Sequence, residues 1–318
     1  MNAMSRAVGV GLVAALVQAV MLIAFAWPAV NMKPRDLPVA VSGPAAAVVA
    51  GKLAEHDSGA FDITTVSDEA AARTAVERRE AYGAIVTDGG APRVVVASAA
   101  SPVVAQQLTA IAQQLSGSAA APVQDVVPAD ADDPRGAGFG AMVLPLVMAG
   151  IAGGVLVSLL VPGVRSRLVG LVTFGIASGL LSMAVVQGWL SLLPGSYLAL
   201  ASIGGLVSFA VAGTIAGLAT LIGPPGIGVG ALLMLLIGNP FSAATSAPEL
   251  LPQPWGAIGQ LLPPGAAATL LRSVAFFDGH AATTPLVVLL GWAAFALLLL
   301  ALGALRPSRT PTPEPVPA

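Results

Sequence analysis

Glu249 and Arg272 are the only charged side chains between Leu168 and Phe277. They flank a largely apolar stretch, "GNPFSAATSAPELLPQPWGAIGQLLPPGAAATLLRS", that holds six prolines between Gly238 and Ser273. Opposite charges so placed could pair across the base of the stretch, and their chemistry is electrostatic. Other reactive groups are sparse. His56 and His280 lie far apart with no carboxylate at zinc-site spacing. Asp130, Asp132 and Asp133 in "PADADDPRG" are acidic enough for a cation, but read better as a solvated linker. Neither Lys33 nor Lys52 is followed by Ser or Thr, so no Walker A loop exists. There is no G-x-S-x-G elbow and no H-E-x-x-H. The absence of cysteine excludes disulfides and thiol nucleophiles. No catalytic residue, metal or cofactor is expected, and the chain does not read as an enzyme.

The setting of these residues is a membrane. Charged residues make up 9% of the chain, against about 25% in soluble domains. From Leu168 to Pro248, 81 residues pass without Asp, Glu, Lys, Arg or His. Six stretches reach the roughly 20 apolar residues that a crossing needs: about 7–27, 139–162, 168–193, 197–222, 226–247 and 285–305. In the fifth, Pro240 is expected to kink the helix. "AFAW" at 24–27 would suit signal-peptide cleavage, but the apolar run before it is longer than a signal core, so an uncleaved anchor is expected. Arg6, Arg165, Arg167, Arg306 and Arg309 fall at alternate span ends, which places both termini in the cytoplasm of a plasma-membrane protein. A net charge of −2 argues against a nucleic-acid partner.

The chain therefore divides into an anchor helix (1–30), an extracytoplasmic α/β domain (31–137), a five-helix membrane domain (138–306) and a disordered Pro-rich cytoplasmic tail (307–318). In the α/β domain, strands are predicted in "DLPVAVS", "FDITTVS", "YGAIVTD" and "PRVVVAS", the last two separated by "GGA", a turn signal. Helices are predicted in "AAAVVAGKLAEH", "DEAAARTAVERREA" and "PVVAQQLTAIAQQLSG". The order β-α-β-α-β-β-α implies one mixed sheet. Within the spans the largest polar groups are Gln18 and Gln187, expected in interhelical hydrogen bonds. Gly150/Gly154, Gly175/Gly179, Gly213/Gly217 and Gly226/Gly230 each form the G-x-x-x-G spacing of close helix contacts. The fold expected is an α-helical multi-pass membrane protein: six transmembrane helices, with a small α/β extracytoplasmic domain between helices one and two.

Several segments carry a resemblance: "LPVAVSG", "FDITTVSDEAAARTAVERREAYGAIV", "GAGFGAMVLPLVMAGIAGG" and, above all, the proline-broken block. With the layout, they make the chain resemble the membrane subunits of type-2 ABC exporters, in the phage-infection-protein-like branch. The resemblance implies a homodimer or a heterodimer with a second permease subunit. It also implies a separate cytoplasmic ATPase subunit and outward movement of a lipid-like, glycan-like or drug-like substrate. For residues about 248–273 it implies a re-entrant segment closing the outer exit, a role carried onto Pro240, Glu249, Pro252, Trp255, Gln260, Pro263, Pro264 and Arg272. A second class of function is a non-transporting membrane scaffold or receptor that uses the external domain to bind a phage, envelope or secretion partner.

Overall fold

The computed structural model describes residues 3–56, 58–87, 92–116 and 122–305. Arg306, Arg309, the tail from 307, the "GGA" turn and Gly117 lie outside the described residues.

Helix α1 (Ala3–Val30) is apolar throughout and exposed along nearly its whole length; Pro28 is its one buried residue. Gln18 on it faces outward. The α/β domain follows with β1 (Leu37–Ser42), α2 (Ala46–His56), β2 (Phe61–Val66), α3 (Glu69–Glu77), β3 (Gly83–Val86), β4 (Arg93–Val96), α4 (Pro102–Ser116) and β5 (Val123–Asp125). The sheet order is β2-β1-β3-β4-β5, with β3 and β4 antiparallel and the other pairs parallel. The mixed sheet and its helices match the periodicity. The short β5 is an addition, its three residues exposed and without a pattern to announce them. Asp68 caps α3 by accepting from the Ala71 N–H at 2.8 Å.

The membrane half comprises α5 (Ala137–Leu160), α6 (Val164–Met183, continued by a π-helical turn Ala184–Trp189), α7 (Tyr197–Ile222), α8 (Pro225–Leu232, continued by a π-helical turn Leu233–Gly238), α9 (Trp255–Gln260), α10 (Pro263–Phe276) and α11 (Thr283–Ala304). Among the described residues, five helices are long and apolar enough to cross a bilayer: α1, α5, α6 with its π turn, α7 and α11. The expected fifth span, 226–247, is different. Helix α8 and its π turn end at Gly238, and at 1.5 Å per residue they reach about 21 Å, short of the roughly 30 Å hydrocarbon core. Pro240 sits in the turn that ends this helix and does not kink it.

Helix α7 is the hub. Its central residues, Val207 to Gly217 apart from Phe209, are buried, although no membrane-driven hydrophobic force draws helices together in lipid. Small residues make the approach. All four glycine pairs meet at α7. A Cβ on Gly150 would stand 2.8 Å from Val211, and one on Gly154 2.7 Å from the Ala212 carbonyl. Gly175 and Gly179 of α6 face Gly205 and Ala201 of α7. Gly213 and Gly217, on α7 itself, admit Ala296 and Leu299 of α11, while Gly226 and Gly230 of α8 lie against Leu218 and Ile215. Ser178 and Ser208 share a hydrogen bond of 2.8 Å across the α6–α7 seam. Away from the α/β domain, Arg167 ties three helix ends together. It donates to the carbonyls of Val161 and Ser158 and, at 2.7 Å, to Thr220 Oγ1.

These contacts make a clear prediction. Gly179→Leu forces a side chain into the backbone of α7 and should destabilise the protein by about 2–3 kcal/mol. Gly291→Leu, on α11 with open space around it, should change the melting temperature in detergent little. Equal melting temperatures for the two variants would contradict the packing described.

Candidate outer gate and polar cavity

The proline-broken block folds as two short helices that turn back on each other. Pro252 precedes α9, and its carbonyl accepts from the Gly256 N–H at 3.1 Å. Pro263 and Pro264 occupy the first turn of α10, where a missing N–H is harmless and the fixed φ suits a helix. The Pro264 ring packs at Gly238, so a Cβ there would stand 2.8 Å from it. Gln260 locks the turn: its Nε2 donates to the Ser242 carbonyl at 3.1 Å, and its Oε1 accepts from Thr269 Oγ1 at 2.6 Å. Trp255 stacks on Phe241 with ring centroids 5.1 Å apart, and Phe241 meets Trp27 of α1 edge-on at 6.4 Å. Pro240 lines a crevice among the end of α1, the start of α5 and the loop after α8.

The block does not hang free beneath the α/β domain. Ala247 and Leu250 are fully buried in the core on one face of the sheet, with Leu37, Val39 and Leu53. Phe277, just after α10, joins the core on the opposite face with Ala72, Val76 and Ala84. The Leu250 carbonyl accepts from the Lys33 N–H at 3.0 Å and from Arg35 Nη1 at 2.9 Å. Both hydrophobic layers of the domain are thus completed by the membrane half.

Between them lies a cavity of about 600 Å³, within the range of ligand pockets. Glu249 and Arg272 both line it, but they do not form the expected pair. Among the described residues the ion pairs are Arg73–Glu77 and Arg93–Glu69, both in the α/β domain. Glu249 instead accepts from the Tyr82 hydroxyl at 2.9 Å. Arg272, only 6% exposed, donates to the Ala244 carbonyl at 3.0 Å and lies 4.3 Å over the Phe139 ring. The reason is local. The turn Pro248–Leu250 is drawn toward the sheet by Leu250, carrying Glu249 to Tyr82 and away from α10.

Arg79 completes the cluster. Its Nη1 donates to Ser273 Oγ at 2.6 Å and to the Thr269 carbonyl at 3.1 Å, and its guanidinium lies 5.2 Å from the Phe277 ring. Arg79 holds φ at +60°, a left-handed conformation costing a side-chain-bearing residue about 1–2 kcal/mol. Burial pulls its guanidinium below the ordinary arginine value, opposed by Tyr82 and then Glu249. Burial first, and the Glu249 carboxylate second, push the Tyr82 phenol well above the ordinary tyrosine value.

Arg35, Arg79, Tyr82 and Phe139 escape a reading of sequence alone. "ERREAYG" shows two adjacent arginines at a helix end, but nothing in it announces the positive φ that turns Arg79 toward α10. Asp133 is also corrected. It is buried, not solvated, and its Oδ2 accepts from the Phe139 N–H at 2.8 Å at the start of α5. Gln187 donates to the Gly195 carbonyl at 2.9 Å, beyond the end of its own helix. His280 is exposed in a turn, and the His56 side chain lies outside the described residues. No cluster of three metal-ligating side chains occurs among the described residues.

No protein-family model, curated protein or solved structure matches the chain.

The chain has two tyrosines, Tyr82 and Tyr197. In a Tyr197→Phe chain, tyrosinate absorbance should stay absent at about pH 11 while the protein is folded, and appear on denaturation. Full ionisation of the folded chain at that pH would contradict the burial of the Tyr82–Glu249 contact.

Proposed function

We propose that the chain is a permease-like subunit of an ABC-type exporter, moving an apolar or amphipathic substrate outward with a separate ATPase subunit. One observation carries the reading: a proline-broken helical pair, α9 and α10, is wedged between a largely apolar helical bundle and an α/β domain whose cores the same block completes. Irregular backbone beside a membrane is tolerated where protein or a cavity covers it. Here both do.

In this reading α8, too short to cross alone, and the block that follows it serve as the fifth of six spans. The residues about 248–273 are re-entrant from the outer face and close the outer exit. Pro263 and Pro264 start the returning helix, Gln260 locks the turn, and the Trp27–Phe241–Trp255 stack seals the block against α1. The α/β domain is extracytoplasmic, both termini are cytoplasmic, and the protein resides in the plasma membrane. In this reading the work comes from the partner ATPase subunit.

A second reading, a non-transporting scaffold or receptor, is favoured by one specific feature. Away from the α/β domain the helices are joined by very short links, 161–163 between α5 and α6 and 223–224 between α7 and α8. Among the described residues these links offer only a small surface to an ATPase.

Affinity purification in mild detergent, with and without nucleotide, separates the two. The exporter reading expects a nucleotide-binding subunit to copurify and ATP-dependent efflux to fall several-fold in Gln260→Ala. Absence of any nucleotide-binding partner under both conditions would overturn it in favour of the scaffold.

A further inference from the structure

The cavity between the α/β domain and α10 holds a buried arginine that no acid of the protein pairs with among the described residues. Arg272 is nearly fully buried, and a guanidinium offers five N–H donors. One of its donors bonds the Ala244 carbonyl, and its face is covered by Phe139; it has no carboxylate partner among the described residues. Arg79 approaches from the other wall and bonds Ser273, the neighbour of Arg272 in sequence, through a neutral hydroxyl. Arg35, a third lining arginine, bonds main-chain carbonyls at Asn31, Lys33 and Leu250. The inner wall holds one acid, Glu249, whose carboxylate is engaged by the Tyr82 hydroxyl. The other acids, Asp36 and Glu80, are exposed at the rim. A charge held out of water is costly unless an opposite charge and further hydrogen bonds satisfy it. Three arginines and three acids line the cavity, but none of the acids partners the buried Arg272, whose remaining donors are left to a ligand.

Two further observations point to a ligand. Of the six non-glycine residues with positive φ among the described residues, three line this one cavity: Asp36, Arg79 and Ala281. Backbone strain of this kind gathers at binding sites, where the surrounding structure holds it in place. The lining is also amphipathic. Beside the arginines and Gln253 it presents Ala81, Ala100 and Ala257, and it extends to Thr284 and Pro285 in the first turn of the spanning helix α11. A headgroup at the end of a membrane-spanning helix would find both its charge and its apolar shoulder matched there.

We propose that this cavity binds the oxyanion headgroup of an anionic phospholipid, a phosphate held by Arg272 and Arg79, with the acyl portion leaving along α11. Guanidinium groups suit phosphate because their fork of donors matches its oxygens. Tyr82 holds Glu249 to one side, so the carboxylate does not fill the place of the ligand. The site stands on the membrane setting of the chain and is independent of export.

The test uses the purified full chain in neutral detergent, titrated with short-chain phosphatidic acid, short-chain phosphatidylcholine and inorganic phosphate, with bound lipid counted by native mass spectrometry. One phosphatidic acid should bind per chain, at least about tenfold more tightly than phosphatidylcholine. Arg272→Gln and Arg79→Gln should each weaken it about tenfold, the worth of a charge-assisted hydrogen bond. Glu249→Gln should strengthen it, and opposite signs from neighbouring substitutions cannot arise from misfolding alone. Inorganic phosphate that displaces the lipid shows that the site reads the headgroup alone; phosphate that does not bind, with lipid binding intact, shows that it reads the whole amphiphile. Equal affinity for the two lipids, or arginine variants that bind as the parent does, would overturn the proposal. Binding here needs neither ATP nor a partner, so its loss leaves the export reading standing, and a failed export assay leaves this site standing.

Discussion

A buried guanidinium, Arg272, with the half-buried Arg79 beside it, sets the terms for the rest of this structure. An arginine buried without a matching acid is penalised by several kcal/mol unless its surroundings supply hydrogen bonds and an aromatic face. The chain supplies both from separate parts. Phe139 comes from the start of α5, the Ala244 carbonyl from the loop after α8, and Ser273 and Phe277 from the end of α10. Arg79 arrives from the α/β domain in a strained conformation that only these partners justify. The seam therefore joins elements far apart in sequence, and both cores of the domain close only when Leu250 and Phe277 are in place.

Beneath the seam, α7 performs a different task. No ion pair among the described residues holds the bundle, so its helices meet largely through small residues, with a few hydroxyls between them and Arg167 joining three helix ends. Such packing depends on shape and tolerates little change in volume. A bundle of this kind is stiff around α7, whereas the block after α8 is held by polar side chains, proline turns and aromatic stacks. The division leaves a close-packed frame and, beside it, a short helical pair in contact with the α/β domain.

Much of this was legible in the residues. Short apolar runs bounded by turn residues located four of the five strands, and helix caps and spacing located all three helices of the α/β domain; the central strands are apolar throughout because they are buried on both faces. Long apolar runs located the five helices, among the described residues, that are long and apolar enough to cross a membrane. The glycine spacings pointed to contacts without naming the partner, since G-x-x-x-G says that a helix can approach closely and not which helix receives it. The end of α8 was visible as a stop in the unbroken apolar stretch near Gly238, before Asn239 and Pro240, but Pro240 suggested a kink in a longer helix; the helix ends there, with the Pro264 ring in the space beside that glycine. The Glu249–Arg272 pair failed for a similar reason. Opposite sign and flanking position suggested it, but Leu250 draws the turn into the sheet core and gives Glu249 to Tyr82. Arg79 was invisible because its role follows from a positive φ and from a fold-level contact with α10.

The central claim is that the α/β domain and the membrane half form one docked unit through this seam. The chain has no native cysteine, so spin labels can be placed without background. With Val48→Cys on α2 and Leu198→Cys on α7, both exposed, pulsed electron paramagnetic resonance measures the distance between the halves. The account predicts a single narrow distance distribution, broadened when Arg79→Gln is added. A broad distribution in the otherwise unchanged chain would contradict it.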